Sequence, residues 1–288
     1  MLDYRKTREW QSGDARQVYA ARDTILYALG VGFGTEPLDP RQLRFVYEPG
    51  LVALPSMAAV LGSPGFWMRD RRELGIDFTK LVHGEQGLRM HAPLPAAGSV
   101  IGRTRVTRVV DKGAGKGAVV HAEKALLDAA TLQPIATVDS VYFCRGDGGF
   151  SEHTGESDEP PPAGPALPES APERRIDIPT RPEQALLYRL SGDVNPLHAD
   201  PAVAAKAGFP RPILHGLATW GIACRAIVGE YAGFDPARLV GLRARFSAPV
   251  YPGETIRVEC WQRAAGIAFR ARVLERDTVV LTNGWAEL

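Results

Sequence analysis

The stretch YRLSGDVNPLHAD, Tyr188 to Asp200, sets an acid, an amide and an imidazole (Asp193, Asn195 and His198) within six residues. Gly192 and Pro196 stand among them, so the three belong to a turn rather than to one face of a helix. One reading is structural: a helix ends at Gly192, an Asx-type turn follows at Asp193 or Asn195, and Pro196 completes it. The other is chemical: a carboxylate and an imidazole held at fixed separation can take up and return protons. A mononuclear metal site fits less well, because only Asp193, Asn195 and His198 are at hand and no acidic calcium-type loop follows. Ser191 precedes a glycine but lies in no G-x-S-x-G elbow.

The text after the turn favours the chemical reading. GFPRPILHGLATWG brings Pro212 and then His215-Gly216 to the start of an apolar helical stretch. The backbone N–H groups at a helix N-terminus are unpaired and carry positive dipole, so they can hold a developing oxyanion. Glycine at 216 lets a ligand approach that backbone closely. A carboxylate, an imidazole and such a hole are the parts needed to add or remove water beside a carbonyl.

Elements that could position this turn are written twice in the chain. LYALGVG (Leu26 to Gly32) lies 161 residues before LYRLSGD (Leu187 to Asp193), and APLPAAGSV (from Ala92) precedes APVYPGETI (from Ala248) by a similar interval. Each half then runs into alternating apolar and polar text rich in β-branched residues, the pattern of antiparallel strands. Before those strands each half has one helical candidate, Leu54 to Gly62 and His215 to Gly233; the second is apolar nearly all round, as a buried helix is. The expectation is a sheet wrapped around a central helix, made twice, with the two sheets able to join. Under the 161-residue shift, Gly32 stands opposite Asp193 and Pro37 opposite His198, so only the second half carries the ionisable pair. Composition breaks after Cys144 into a Gly-, Pro- and acid-rich run, which divides the chain into 1–150, an exposed linker 151–174, and 175–288.

Bulk properties exclude several classes. With 288 residues, 45% apolar and 23% charged, the chain has the balance of a globular protein. A net charge of +1 offers no basic field for nucleic acid, and no run approaches the ~20 apolar residues of a membrane span. Three widely spaced cysteines (Cys144, Cys224 and Cys260) suit a reducing compartment. MLDYRKTREW lacks the apolar core of a signal peptide, and WAEL is not a tripeptide of the SKL kind, so a cytoplasmic location is expected.

YRLSGDVNPLHADPAVAAKAGFPRPILHGLATWG resembles the signature of the MaoC-like, or hydratase 2, family of (R)-specific enoyl-CoA hydratases. RDTILYALGVG, LRFVYE, LVHGEQGLRMHAPLPAAG, DKGAGKGAVV and ARFSAPVYPGETI are similar to further blocks of the two-unit hydratase, so the resemblance spans the chain apart from the linker. It implies an α+β double hot-dog fold, a homodimer, an acyl-CoA substrate and no cofactor, since the thioester itself acidifies C2. It places the catalytic aspartate and histidine on Asp193 and His198, the asparagine on Asn195 and the oxyanion donor on the Gly216 backbone. Contacts to CoA are expected from Tyr47, Lys112, Lys116, Arg243 and Arg245. DKGAGKGA is two residues longer than the usual DKGKGA, and GGFSEH replaces GGFGG; the first change touches the CoA loop. The degenerate first half is expected to make room for a long or branched acyl chain.

Other histidines have quieter readings. His215 is expected to cap or pack at the helix start, and His83 and His91 to line a wall or a loop; Arg243 and Arg245 alternate along a strand and could face solvent. Three rivals remain: the same chemistry on a mesaconyl-type, steroid side-chain or carrier-protein thioester, a thioesterase, and a non-catalytic acyl-CoA binding protein. A hot-dog thioesterase would want a carboxylate on the central helix, and HGLATWGIACRAIVG has none before Glu230.

Overall fold

The alternating text forms ten strands: β1 (Ala15–Tyr19), β2 (Leu81–Met90), β3 (Gly98–Asp111), β4 (Ala118–Asp128), β5 (Pro134–Cys144), β6 (Arg174–Pro179), β7 (Gly241–Phe246), β8 (Thr255–Arg263), β9 (Gly266–Val273) and β10 (Thr278–Glu287). They make one antiparallel sheet in the order β1-β3-β4-β5-β2-β7-β10-β9-β8-β6. The second five repeat the first in mirror order, and the halves join where β2 pairs with β7, from Glu85↔Arg245 to Arg89↔Gly241. A computed structural model describes residues 2–162, 164 and 166–288; Met1, and Ala163 and Pro165 of the expected linker, lie outside the described residues.

The expected central helix spans Gly216–Ala232 and is closed by Gly233 in the left-handed region (φ 61°). Its side chains are buried on nearly every face, in a core that also takes Tyr27, Met57 and Leu88 from the first half and Ile256, Phe269 and Leu281 from the second. The two halves of the sequence therefore share one sheet and a common core, as the double hot-dog reading expects, while a second cluster around Trp67 and Phe150 belongs to the first half alone. The repeat extends further than the text suggested. Asp39 and Asp200, also 161 residues apart, each accept a backbone N–H two residues on and start a short helix at a proline.

The first-half helix is the exception. Of the stretch Leu54 to Gly62, only Pro55–Ala59 is helical, and as a 3₁₀ turn. Gly62 adopts a left-handed conformation (φ 56°) and crosses β3 at Gly102 so closely that neither position has room for a Cβ. The chain then meets Pro64, which cannot continue a helix. The carbonyls left unpaired at this stub are taken by Lys124, whose Nζ donates to Ala58, Ala59 and Leu61. Lys124 thus sits in the inward-facing row of β4 beside Ala122 and Leu126, and burial pulls its pKa down to about 7. Met57, Leu61, Leu88 and Leu126 pack on one side of the stub, each no more than 5% exposed, while Pro55 at its start lines an open cavity of about 450 Å³.

The described residues of 151–174 are mostly exposed and are tied down at both ends. After a short helix, Ser151–Thr154, the Asp158 carboxylate accepts the Val109 N–H of β3 at 2.7 Å and pairs with Arg8 at 3.2 Å. At the other end Trp261 donates its indole N–H to the Ser170 carbonyl at 2.8 Å.

Candidate active site

Helix Gln184–Tyr188 runs into a 3₁₀ turn, Arg189–Ser191, that stops at Gly192 (φ 118°). Asp193 then folds the chain back: its Oδ1 accepts the Asn195 N–H at 3.1 Å. Asn195 repeats the device, its Oδ1 capping the 3₁₀ turn Pro196–His198 through the Leu197 N–H at 3.1 Å. The structural reading of this turn is therefore correct, and it serves the chemical one by fixing where the side chains point. Asn195 thereby holds the turn through its carbonyl oxygen, while its amide N–H₂ has no partner among the described residues.

His198 is buried, and its Nδ1–H donates to the Ile213 carbonyl at 2.8 Å. In the neutral ring this leaves Nε2 unprotonated, a lone pair that can accept a proton. Burial lowers the His198 pKa and keeps the ring neutral near pH 7. His215, at the residue before the central helix, packs as expected: its ring lies on that of His198 at 3.7 Å and 25°, and its Nε2–H donates to the Asp193 carbonyl at 3.1 Å. Burial, then the neighbouring His198, pushes the His215 pKa down to about 3. Asp193, His198 and His215 each place one ligating atom within 4.8 Å of the others.

Gly216 opens the central helix, and its N–H has no hydrogen-bond partner among the described residues. The Phe246 ring lies against it, 3.2 Å from where a Cβ would stand. Phe246 ends β7 on the inner face of the sheet and meets His83 of β2 edge to face at 5.0 Å. His83 in turn stacks on Tyr142 of β5 at 5.1 Å and 25°. The site therefore lies at the seam of the two halves, where Phe246 joins the helix start to His83 and Tyr142. Tyr142 and Phe246 gave no signal in the sequence; they read as ordinary strand residues until pairing put them at the seam.

The expected CoA contacts are not all brought together. Arg243 and Arg245 stand on the outer face of β7, opposite inward Leu242, Ala244 and Phe246, and Arg245 pairs with Glu85 at 2.6 Å. The sheet separates both from the pocket, because alternate residues of a strand point to opposite faces. Tyr47 is 54% exposed on the loop after Pro40–Leu43 and makes no hydrogen bond to the turn. Lys112 and Lys116 are exposed on the β3–β4 loop, at the end of the sheet where β2 begins, since Ala118 pairs with Cys144 and Cys144 with Leu81. His91 lies at the other end of β2, bonded to Thr137 and lining a cavity of about 450 Å³ between Met90–Ala96 and Asp235–Val240.

Three neutral histidines, His198 and His215 buried and His83 partly so, make stability depend on acid. His83 is pushed down to about 4 and His215 to about 3, both chiefly by burial, and His198 is lowered too. Below pH ~6.5 the unfolded chain binds these protons and the folded chain does not, so stability falls as pH falls toward 4 and is fully present above 6.5. The melting temperature should decline steadily from pH 6.5 to 4; no change from pH 7.5 to 5 would mean that the rings are charged or exposed when folded.

Comparison with known proteins identifies matching families for both halves. Residues 18–146 match a family described as MFE-2 hydratase 2 N-terminal domain, and residues 165–284 one described as MaoC like domain. The chain is 43% identical to 3-hydroxyacyl-thioester dehydratase Y of Mycobacterium tuberculosis, over 92% of this chain and 91% of that protein. It is 36% identical to the peroxisomal enoyl-CoA hydratase 2 of Arabidopsis thaliana, over 94% and 90%. A crystal structure of a MaoC-like dehydratase from Phytophthora capsici superposes with a TM-score of 0.86 at 31% identity, covering 99% of this chain and 97% of that one.

Proposed function

This chain belongs to the MaoC-like hydratase 2 family, and from that premise we propose that it is a hydro-lyase adding water, reversibly and syn, to trans-2-enoyl-CoA to give (3R)-3-hydroxyacyl-CoA in fatty acyl metabolism. The observation that carries the reading is the Asp193–His198 pair, within 4.8 Å, beside the free Gly216 N–H.

In a 2-enoyl thioester the double bond is conjugated with the carbonyl. One water rests between the free Asp193 carboxylate oxygen and His198 Nε2. Its oxygen bonds to C3 as the pair takes up one of its protons, and the π electrons move through C2 onto the thioester oxygen. The Gly216 N–H receives that charge, and the helix dipole adds to it. When the electrons return, C2 takes a proton from the pair on the same face, and one water has been added in all. The thioester supplies the acidity at C2, so the reading needs no cofactor.

For the CoA end, the β3–β4 loop has the best support. Gly113, Gly115 and Gly117 all have positive φ (94°, 71° and 79°) and hold the loop in a tight turn that leaves Lys112, just before it, and Lys116, within it, exposed to an anionic ligand. Tyr47 can reach the same ligand only from its exposed loop, and Arg243 and Arg245 only beyond the sheet's outer face. The protein is further read as a cytoplasmic homodimer. Free, buried Cys144, Cys224 and Cys260 suit a reducing compartment, and exposed Leu186, Leu190 and Val194 beside the turn offer apolar surface to a second copy. Among the described residues no helix is long and apolar enough to cross a membrane. The relative described as acting on 3-hydroxyacyl thioesters favours one alternative, the same chemistry on a thioester other than CoA.

The test is loss of the enoyl-thioester absorbance with crotonyl-CoA and with a ten-carbon 2-enoyl-CoA. The product should be oxidised by an (R)-specific but not an (S)-specific 3-hydroxyacyl dehydrogenase. Binding of both thioesters without any change in the band would overturn the reading.

A further inference from the structure

His83 shares no hydrogen bond with the catalytic turn, yet the strand that carries it is distorted where it stands. In a regular strand His83 and Glu85 would lie on the same face. Here β2 slips against β5 between them: His83 pairs with Tyr142 and Glu85 with Val141, leaving Gly84 as the extra residue of a bulge. A Cβ at Gly84 would stand 3.3 Å from the Val141 carbonyl, so the bulge closes most easily on a glycine. Its effect is to send Glu85 outward to Arg245 and His83 inward to the pocket.

Inside, the imidazole is a wedge. Tyr142 stacks on one side at 5.1 Å, Phe246 meets it edge to face at 5.0 Å, and Phe246 in turn lies against the Gly216 backbone. His83 Nε2 is spent on the Glu85 carbonyl at 3.1 Å, within the bulge. We infer that His83 is a positioning residue supplied by the first half: it presses the Phe246 ring over Gly216 and so shapes the pocket that receives the thioester oxygen. This gives the half without a catalytic pair a part in the reaction. The inference rests on the proposed hydration only for its kinetic consequence; the contact itself is independent of it. Burial keeps the ring neutral, with a pKa of about 4, and Asp193 is the carboxylate whose charge reaches it, so His83 moves no proton in the working range.

The experiment is a double-substitution cycle of His83→Ala and Phe246→Ala, with His83→Phe as the conservative variant, read by enoyl-CoA hydration and by the denaturation midpoint. Misplacing a catalytic surface by about 1 Å costs up to ~10²-fold, so His83→Ala should lower kcat by about 10- to 100-fold with KM little changed. His83→Phe, which keeps a ring in the wedge, should recover most of that loss, and neither variant should move the acidic limb of the pH profile. On a Phe246→Ala background, His83→Ala should cost little more in either readout. Additive losses, failure of phenylalanine to rescue, or a shifted pH limb would overturn the inference. The denaturation cycle reads the His83–Phe246 contact even if the native protein leaves the enoyl band unchanged, an outcome that would sink the proposed reaction and not the wedge.

Discussion

Asp193→Asn is expected to lower kcat for hydration by about 10³-fold, within the ~10²–10⁴ that general acid–base groups contribute and equal to about 4 kcal/mol of barrier. The substitution is chosen for what it spares. The Asn195 N–H bonds to one oxygen of Asp193, and an asparagine carbonyl can accept the same bond, so the turn keeps its shape. What is lost is the second oxygen's basicity toward the water. KM and melting temperature should stay near the native values. His198→Asn is the matching change: its amide can still donate to the Ile213 carbonyl in place of Nδ1–H, but it carries no lone pair where Nε2 stood. If the two groups share one water, the double variant should be little worse than either single one, as for residues that act as a unit. A native-like kcat in Asp193→Asn would remove the carboxylate from the mechanism.

Gly216→Pro is expected to cost about 10²–10³-fold in kcat, the usual loss on removing one oxyanion donor, while the central helix stays folded. Proline is welcome at the first position of a helix, where the N–H has no partner within the helix. The residue before it is already extended, His215 having φ −58° and ψ 137°, as the position preceding a proline requires. Gly216→Ala is the necessary comparison. It adds a Cβ 3.2 Å from the Phe246 ring but keeps the N–H, so the difference between alanine and proline isolates the donor from the crowding. Equal kcat in the two variants would show that the backbone N–H does not hold the developing charge and that the helix start matters only through its shape.

Features whose physics is local were legible along the chain. Glycine, aspartate, asparagine and proline in order dictate a turn, and their spacing puts Asp193 and His198 on it. Strand alternation and an all-round apolar helix announced the sheet and the element it wraps, and the 161-residue repeat announced that the arrangement occurs twice. The short first-half stub was only half legible: Pro64 was visible, but the crossing of Gly62 over Gly102 and the Lys124 cap join residues far apart in the chain. Strand pattern gives no sign that a helix end has unpaired carbonyls, so nothing local marks Lys124 for that task.

Which side chains complete the site depends on contacts between distant segments. His83 points inward because β2 slips by one residue at Gly84, and a slip of one residue reverses a side chain's face. Phe246 covers Gly216 because β7 is the strand that pairs with β2 at the seam, which also turns Arg243 and Arg245 away from the pocket. Such outcomes depend on strand register across the join of the two halves. Register is set by packing between distant segments, whereas turns and helix starts are set by neighbours in the chain. That is why the catalytic turn could be read directly and the wall facing it could not.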